Sequence, residues 1–98
     1  MYSGGGRQVV KVRREFFLDA TEMAPPEPFE KATAILRQLQ PGQYLHMQHR
    51  RIPWPLFDFI RGLSLQCSYV ESAPSVYEIY VYFLEDEETL KEEGIPCE

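Results

Sequence analysis

Between His46 and Trp54 the chain places two imidazoles, two guanidiniums and its only tryptophan within nine residues. Arg50 and Arg51 stand just ahead of a segment that reads as a helix, whose unpaired first N–H groups would add partial positive charge to theirs. Such a corner is suited to receiving an anion. The same residues also fit a plainer role, with Arg50 and Arg51 as solvated loop charges and Trp54 as a hydrophobic plug. His46 and His49 invite comparison with a metal- or cofactor-linked sensor. Residues three apart in an extended strand point to opposite faces, however, so both rings could ligate one ion only if the strand ended before His49. No acid or thiol in that loop completes a tetrahedral set, and no metal ligand is assigned.

The remaining reactive groups are scattered. Glu27 could act as an isolated acid or base, but its place ahead of a helical pattern fits support of the helix dipole or a pair with Lys31. Two cysteines without CxxC spacing are too few for a disulfide framework. Cys67 lies in the strand-like run Leu65 to Val70 and reads as a half-buried structural thiol. Cys97, near the end of an acidic tail, could serve as a swinging sulfur carrier, although its acidic neighbours would raise its pKa. The sequence holds no Ser or Cys with a spaced His and acid, no glycine-rich phosphate loop and no HExxH, so a non-enzymatic role without cofactor is expected.

These groups must be positioned by one core, because 98 residues can bury only about 60 to 68% of their unfolded surface. A composition of 44% hydrophobic and 26% charged residues is that of an ordinary globular domain. The net charge of −5 is unevenly spread: residues 85–98 carry seven acids and one lysine, while residues 1–84 are close to neutral. The expected division is therefore a flexible lead-in over 1–8, a folded domain over 9–84, and a solvated acidic tail over 85–98. A body without a broad basic surface disfavours nucleic acid. No apolar run approaches the roughly 18 residues that span a bilayer, nor does the N-terminus carry a signal-peptide core, so no membrane association and a cytoplasmic location are expected.

Alternating apolar residues predict a strand over Val9 to Asp19, ended by Ala24-Pro25-Pro26-Glu27-Pro28. Phe29, Ala32, Ile35, Leu36 and Leu39 then keep helical spacing up to Pro41-Gly42. A second strand is predicted over Tyr44 to Gln48, and a short helix with the stripe Leu56, Phe59, Ile60 and Leu63 after Pro55. Strands over Leu65 to Glu71 and Val76 to Leu84 complete the order βαβαββ. That order predicts an α/β two-layer sandwich, with two helices on one face of a four-stranded mixed sheet. The opposite face would carry Tyr44, His46, Tyr80 and Tyr82, which fit a homodimer contact, a dock for another protein, or tyrosines with wet hydroxyls.

The run from Leu18 to Pro28 resembles the Leu-Asp-x-x-Gly-x-x-Cys-Pro-x-Pro motif of the TusA/SirA-like sulfurtransferases. The likeness extends to the Gln40-Pro41-Gly42-Gln43 turn and the proline before the second helix, and covers about Leu18 to Leu84. It implies that family's fold, in which Pro25, Pro26, Glu27 and Pro28 would share a surface with His49, Arg50, Arg51 and Trp54. Glu22 stands where the family usually has glycine, and Pro25 stands at the thiol position. A proline ring has no nucleophile to hold a persulfide, so the chain resembles a cysteine-less branch with a Pro-Pro-Glu-Pro box. The resemblance implies a binding or adaptor domain in iron, nitrogen-oxide or sulfur metabolism, with a hemerythrin-like or other redox protein as partner.

Overall fold

The computed structural model describes residues 9–12 and 14–97, so the expected flexible stretch 1–8 lies outside the described residues. Strands β1 (Val9–Val12), β2 (Glu15–Asp19), β3 (Tyr44–His49), β4 (Leu65–Ala73) and β5 (Val76–Phe83) form one mixed sheet in the order β1-β2-β3-β5-β4. Helix α1 (Glu27–Gln38) joins the parallel pair β2 and β3, α2 (Trp54–Ile60) joins β3 to β4, and α3 (Glu87–Glu92) follows a short 3-10 turn after β5.

The helical layer on the sheet's inner face follows from the apolar periods. Phe16, Leu18, Leu45, Met47, Ile79 and Val81 point inward from β2, β3 and β5, and meet Ala32, Ile35 and Leu36 of α1 and Leu56 and Ile60 of α2. All are buried, each large aliphatic side chain contributing about 1.5–3 kcal/mol by leaving water. Leu63, expected on the second helical stripe, lies beyond the end of α2 and is exposed.

Four strands, β2, β3, β5 and β4, form the expected mixed sheet, and a fifth is added where one long first strand was expected. The chain reverses between Val12 and Glu15, which pair with each other, so β1 runs antiparallel to β2 at the sheet edge. Lys11 stands opposite Phe16 with its Nζ 5.6 Å from the ring centroid. An odd position thus shares a face with an even one, a phase change that a two-residue turn produces and that a simple alternation count overlooks.

The acidic segment is corrected more substantially. Rather than a solvated tail, residues 84–92 form helical turns on the outer face of the sheet, where Leu90 is fully buried against Tyr44 and Tyr82. Asp86 Oδ2 accepts the Gly42 N–H at 2.7 Å, Arg14 pairs with Glu93, and Ser68 Oγ donates to the Pro96 carbonyl at 2.6 Å. The acids Glu85, Glu88 and Glu92 remain exposed. Charge density alone gave no sign of docking, because it rests on one buried leucine in a six-residue helix and on long-range bonds. Among the described residues no helix is long and apolar enough to cross a membrane.

Candidate functional site: a cleft between two proline-rich segments

The first wall is built where β2 gives way to α1. Asp19 Oδ1 accepts the Thr21 hydroxyl at 2.6 Å and the Thr21 N–H at 3.0 Å, a local turn that draws the chain off the sheet. Those two bonds, the hydroxyl's first, outweigh burial and with the nearby Arg50 charge hold the Asp19 carboxyl below its ordinary value. Ala24 to Pro26 then carry the chain to the helix across a cis Pro25–Pro26 bond. Pro26 occupies the N-cap, and Pro28 is buried in the first turn, where its missing N–H leaves no orphaned donor.

The second wall follows β3. His49 ends that strand with 7% of its surface exposed, and its Nδ1 accepts the Arg50 N–H at 2.9 Å, leaving Nε2 to carry the proton of the neutral ring. Burial, helped by the Arg51 charge, pushes the His49 imidazole below its ordinary value. It is therefore neutral at physiological pH. Arg50 Nε donates to the Thr21 carbonyl at 3.2 Å, tying this wall to the first. Pro53 caps α2, and Trp54 opens it with 59% of its surface exposed, set edge-to-face on Phe57 at 5.6 Å. With only seven residues, α2 is too short to be credited with much of the corner's charge, which rests on the two arginines.

Between these walls opens a cleft of about 570 Å³. Pro25, Pro26, Pro28 and Phe29 form one side, and Arg50, Arg51, Ile52, Pro53, Trp54 and Pro55 the other, over a floor of Met47, His49, Leu56 and Tyr77. Seven of the eight residues read from the sequence as a binding surface thus converge. Glu27 does not: it lines a separate depression along α1 with Pro26, Glu30 and Lys31, and among the described residues it forms no ion pair with Lys31. Met47, Leu56 and Tyr77 join the cleft from β3, α2 and β5, and none of them is marked out as a site residue by local sequence pattern. Phe29, assigned to the helical stripe, is instead 37% exposed on the cleft wall and packs edge-to-face on Phe59 at 5.9 Å.

The outer face holds a different constellation. His46 Nδ1 lies 2.5 Å from Glu15 Oε2 and its Nε2 lies 2.6 Å from Glu78 Oε1, while Tyr80 stacks on the ring at 4.5 Å. Burial alone would raise Glu78, but hydrogen bonds from Gln48, His46 and Ser72 outweigh it and its carboxyl titrates below the ordinary value. Burial and the charges of Glu78 and Glu15 push the Tyr80 phenol up to about 12. The expected open row of tyrosines is corrected in part: Tyr44 and Tyr82 are covered by α3, Tyr82 completely, so in this fold neither is offered to a second chain. Because β3 continues through His49, His46 and His49 project from opposite faces and cannot share an ion. Among the described residues no three or more His, Cys, Asp or Glu side chains are grouped to hold a metal.

Neither thiol lies in the cleft. Cys67 packs against the main core, and Cys97 packs with Leu90 and Tyr82 on the outer face of the sheet. Burial pushes the Cys97 thiol up and Glu87 adds to this, against a hydrogen bond from Tyr82 and the charge of Lys91.

The sheet-and-helix arrangement has a solved counterpart. A SirA-like protein from Desulfitobacterium hafniense, seen by crystallography, superposes with a TM-score of 0.54 at 19% identity, over 66% of this chain and 92% of that one. At this identity the likeness establishes the fold, which is SirA-like, and nothing of its chemistry. No curated protein matches the chain. The family model described as "Uncharacterized conserved protein (DUF2249)" matches residues 17–82, from β2 through nearly all of β5 and so across both walls of the cleft, and the chain belongs to that family.

Proposed function

We propose that this chain is a non-enzymatic binding domain whose recognition surface is the cleft between the Pro25–Pro28 loop and the His49–Trp54 corner. The observation that carries the reading is the convergence of these two segments, more than twenty positions apart in sequence, on one cavity of about 570 Å³. That size lies within the range of about 300–1,000 Å³ typical of ligand sites. Apolar walls with a few polar groups at the rim suit recognition, and among the described residues the cleft lining offers no cysteine, serine or carboxylate as nucleophile or general base. The loop position that would carry sulfur in the resembling sulfurtransferases is Pro25, which cannot form a persulfide.

A cytoplasmic adaptor in iron, nitrogen-oxide or sulfur metabolism, serving a hemerythrin-like or other redox protein, extends this reading by resemblance alone. Sulfur carriage through Cys97 is disfavoured by the raised thiol and by its place on the opposite face of the sheet. The test is affinity capture from the source cells with wild-type and Arg50→Ala/Arg51→Ala baits, compared by quantitative mass spectrometry. A component retained by the wild type and lost from the variant is expected, with the variant's melting midpoint within about 4 °C of the wild type's. Identical recovery by both baits removes the assignment.

A further inference from the structure

The cleft's two arginines are not equivalent. Arg50 is already engaged: its Nε donates to the Thr21 carbonyl, and its charge acts on the Asp19 carboxylate. Arg51 is exposed on the cleft lining and pairs with no carboxylate among the described residues. In a chain of net charge −5, the described residues lining the cleft include no acid, and the cations among them are these two arginines. His49 contributes no charge once neutral, but keeps a proton on Nε2. An uncompensated guanidinium beside apolar walls attracts an oxyanion, and does so more strongly where water is partly excluded.

The walls define the rest of the ligand. Trp54 is held edge-on by Phe57 and Tyr69, with ring centroids at 5.6 and 6.3 Å, yet 59% of its surface stays open. An indole fixed in this way offers apolar area to a partner with little side-chain entropy left to lose. Phe29 and the rings of Pro25, Pro26 and Pro28 line the same cleft from the other segment.

We propose that the cleft takes a small organic anion with a flat apolar body, the oxyanion held by Arg51 and the body lying between Trp54 and the Phe29 wall. Arg50 is a positioning residue that fixes the two walls relative to each other. This assignment rests on the reading of the cleft as the binding surface and names the class of ligand it selects.

The test uses the full chain with two fluorescent probes that differ by one sulfonate, 8-anilinonaphthalene-1-sulfonate and neutral N-phenyl-1-naphthylamine. Trp54, the only tryptophan, reports occupancy through quenching and energy transfer to the probe. The anionic probe is expected to bind at least about tenfold more tightly than the neutral one, with the difference shrinking as salt rises. Arg51→Ala and the bulkier Arg51→Gln should bring the two probes to within about twofold, while Arg37→Ala, at the far end of α1, leaves the wild-type ratio. Equal binding of both probes to the wild type, or a ratio untouched by either Arg51 variant, overturns the anion assignment and leaves the cleft as a binding surface. If neither probe alters Trp54 emission, the cleft reading fails as well.

Discussion

Arg50 and Thr21, 29 positions apart, meet through a hydrogen bond from the guanidinium Nε to the Thr21 carbonyl at 3.2 Å. The contact joins the loop after β2 to the loop after β3, beside the Ala20 N–H to Gln48 carbonyl bond of 2.8 Å that prolongs the β2–β3 ladder. Both ties join the segments that form the two walls of the cleft. One is a backbone bond at the end of a parallel pair, and the other depends on a single exposed side chain.

Arg50→Lys keeps the charge but loses the planar fork, so it should loosen the loop while leaving the core intact. An exposed hydrogen bond of this kind contributes on the order of 0.5 kcal/mol, so the melting midpoint should fall by no more than about 4 °C. Amide exchange at Thr21 to Met23 should quicken several-fold. Unchanged exchange there would show that Arg50 does not hold the loop.

Leu90→Ala tests the docking of α3. Removing a fully buried leucine costs about 2–5 kcal/mol, and here it also uncovers Tyr44 and Tyr82. Urea denaturation should register a loss of at least about 2 kcal/mol, accompanied by a change in the tyrosine near-ultraviolet circular dichroism. A loss below about 0.5 kcal/mol is the surface-substitution outcome and would mean that α3 is not anchored.

Acid should destabilise the fold in part through Glu78. Its carboxyl titrates below the ordinary value when folded, so its contribution is fully present above the unfolded value and is lost as pH falls through the folded one. His46→Leu removes one of the bonds responsible and leaves Glu15 and Glu78 without the hydrogen-bond partner they share. At about pH 7 this should cost on the order of 1–3 kcal/mol, and the further decline between about pH 5 and pH 3 should be shallower than in the wild type. Parallel urea midpoints across that range are the measurement; identical acid slopes would separate Glu78 from His46.

Cys97 should behave as a poor nucleophile. With its thiol raised by burial, alkylation by iodoacetamide near neutral pH should be several-fold slower than for free cysteine and should accelerate only on the alkaline side. Incubation with a cysteine desulfurase and labelled cysteine should leave no sulfur on it. A stoichiometric label on Cys97 would reinstate sulfur carriage.

Much of this architecture was legible in the residues. The helical spacing of Ala32, Ile35 and Leu36 and the strand alternation around Leu45 and Ile79 fix which faces are buried, and the proline-rich run from Pro25 to Pro28 fixes where α1 starts. The convergence of the proline loop with Arg51 and Trp54 came from the family resemblance, since periodicity says nothing of which loops are neighbours. Two things stayed hidden for physical reasons. A tight reversal near Arg14 conserves apparent alternation while changing its phase, and the docking of an acidic segment depends on one leucine and three long-range bonds that no local pattern encodes. The Glu15–His46–Glu78 contact belongs to the same class, because its members come from three strands whose register only the folded sheet reveals.

Binding of an organic anion in the cleft is tested most directly by amide and indole shift mapping on the isotope-labelled full chain, titrated with a mixed panel of small aromatic carboxylates and their neutral amides. Shifts are expected at the amides of Phe29, His49 to Ile52, Trp54, Leu56 and Tyr77 and at the Trp54 indole, larger for the acids than for the neutral amides. Shifts gathered instead around His46 and Tyr80, or scattered over both faces of the sheet, would contradict it.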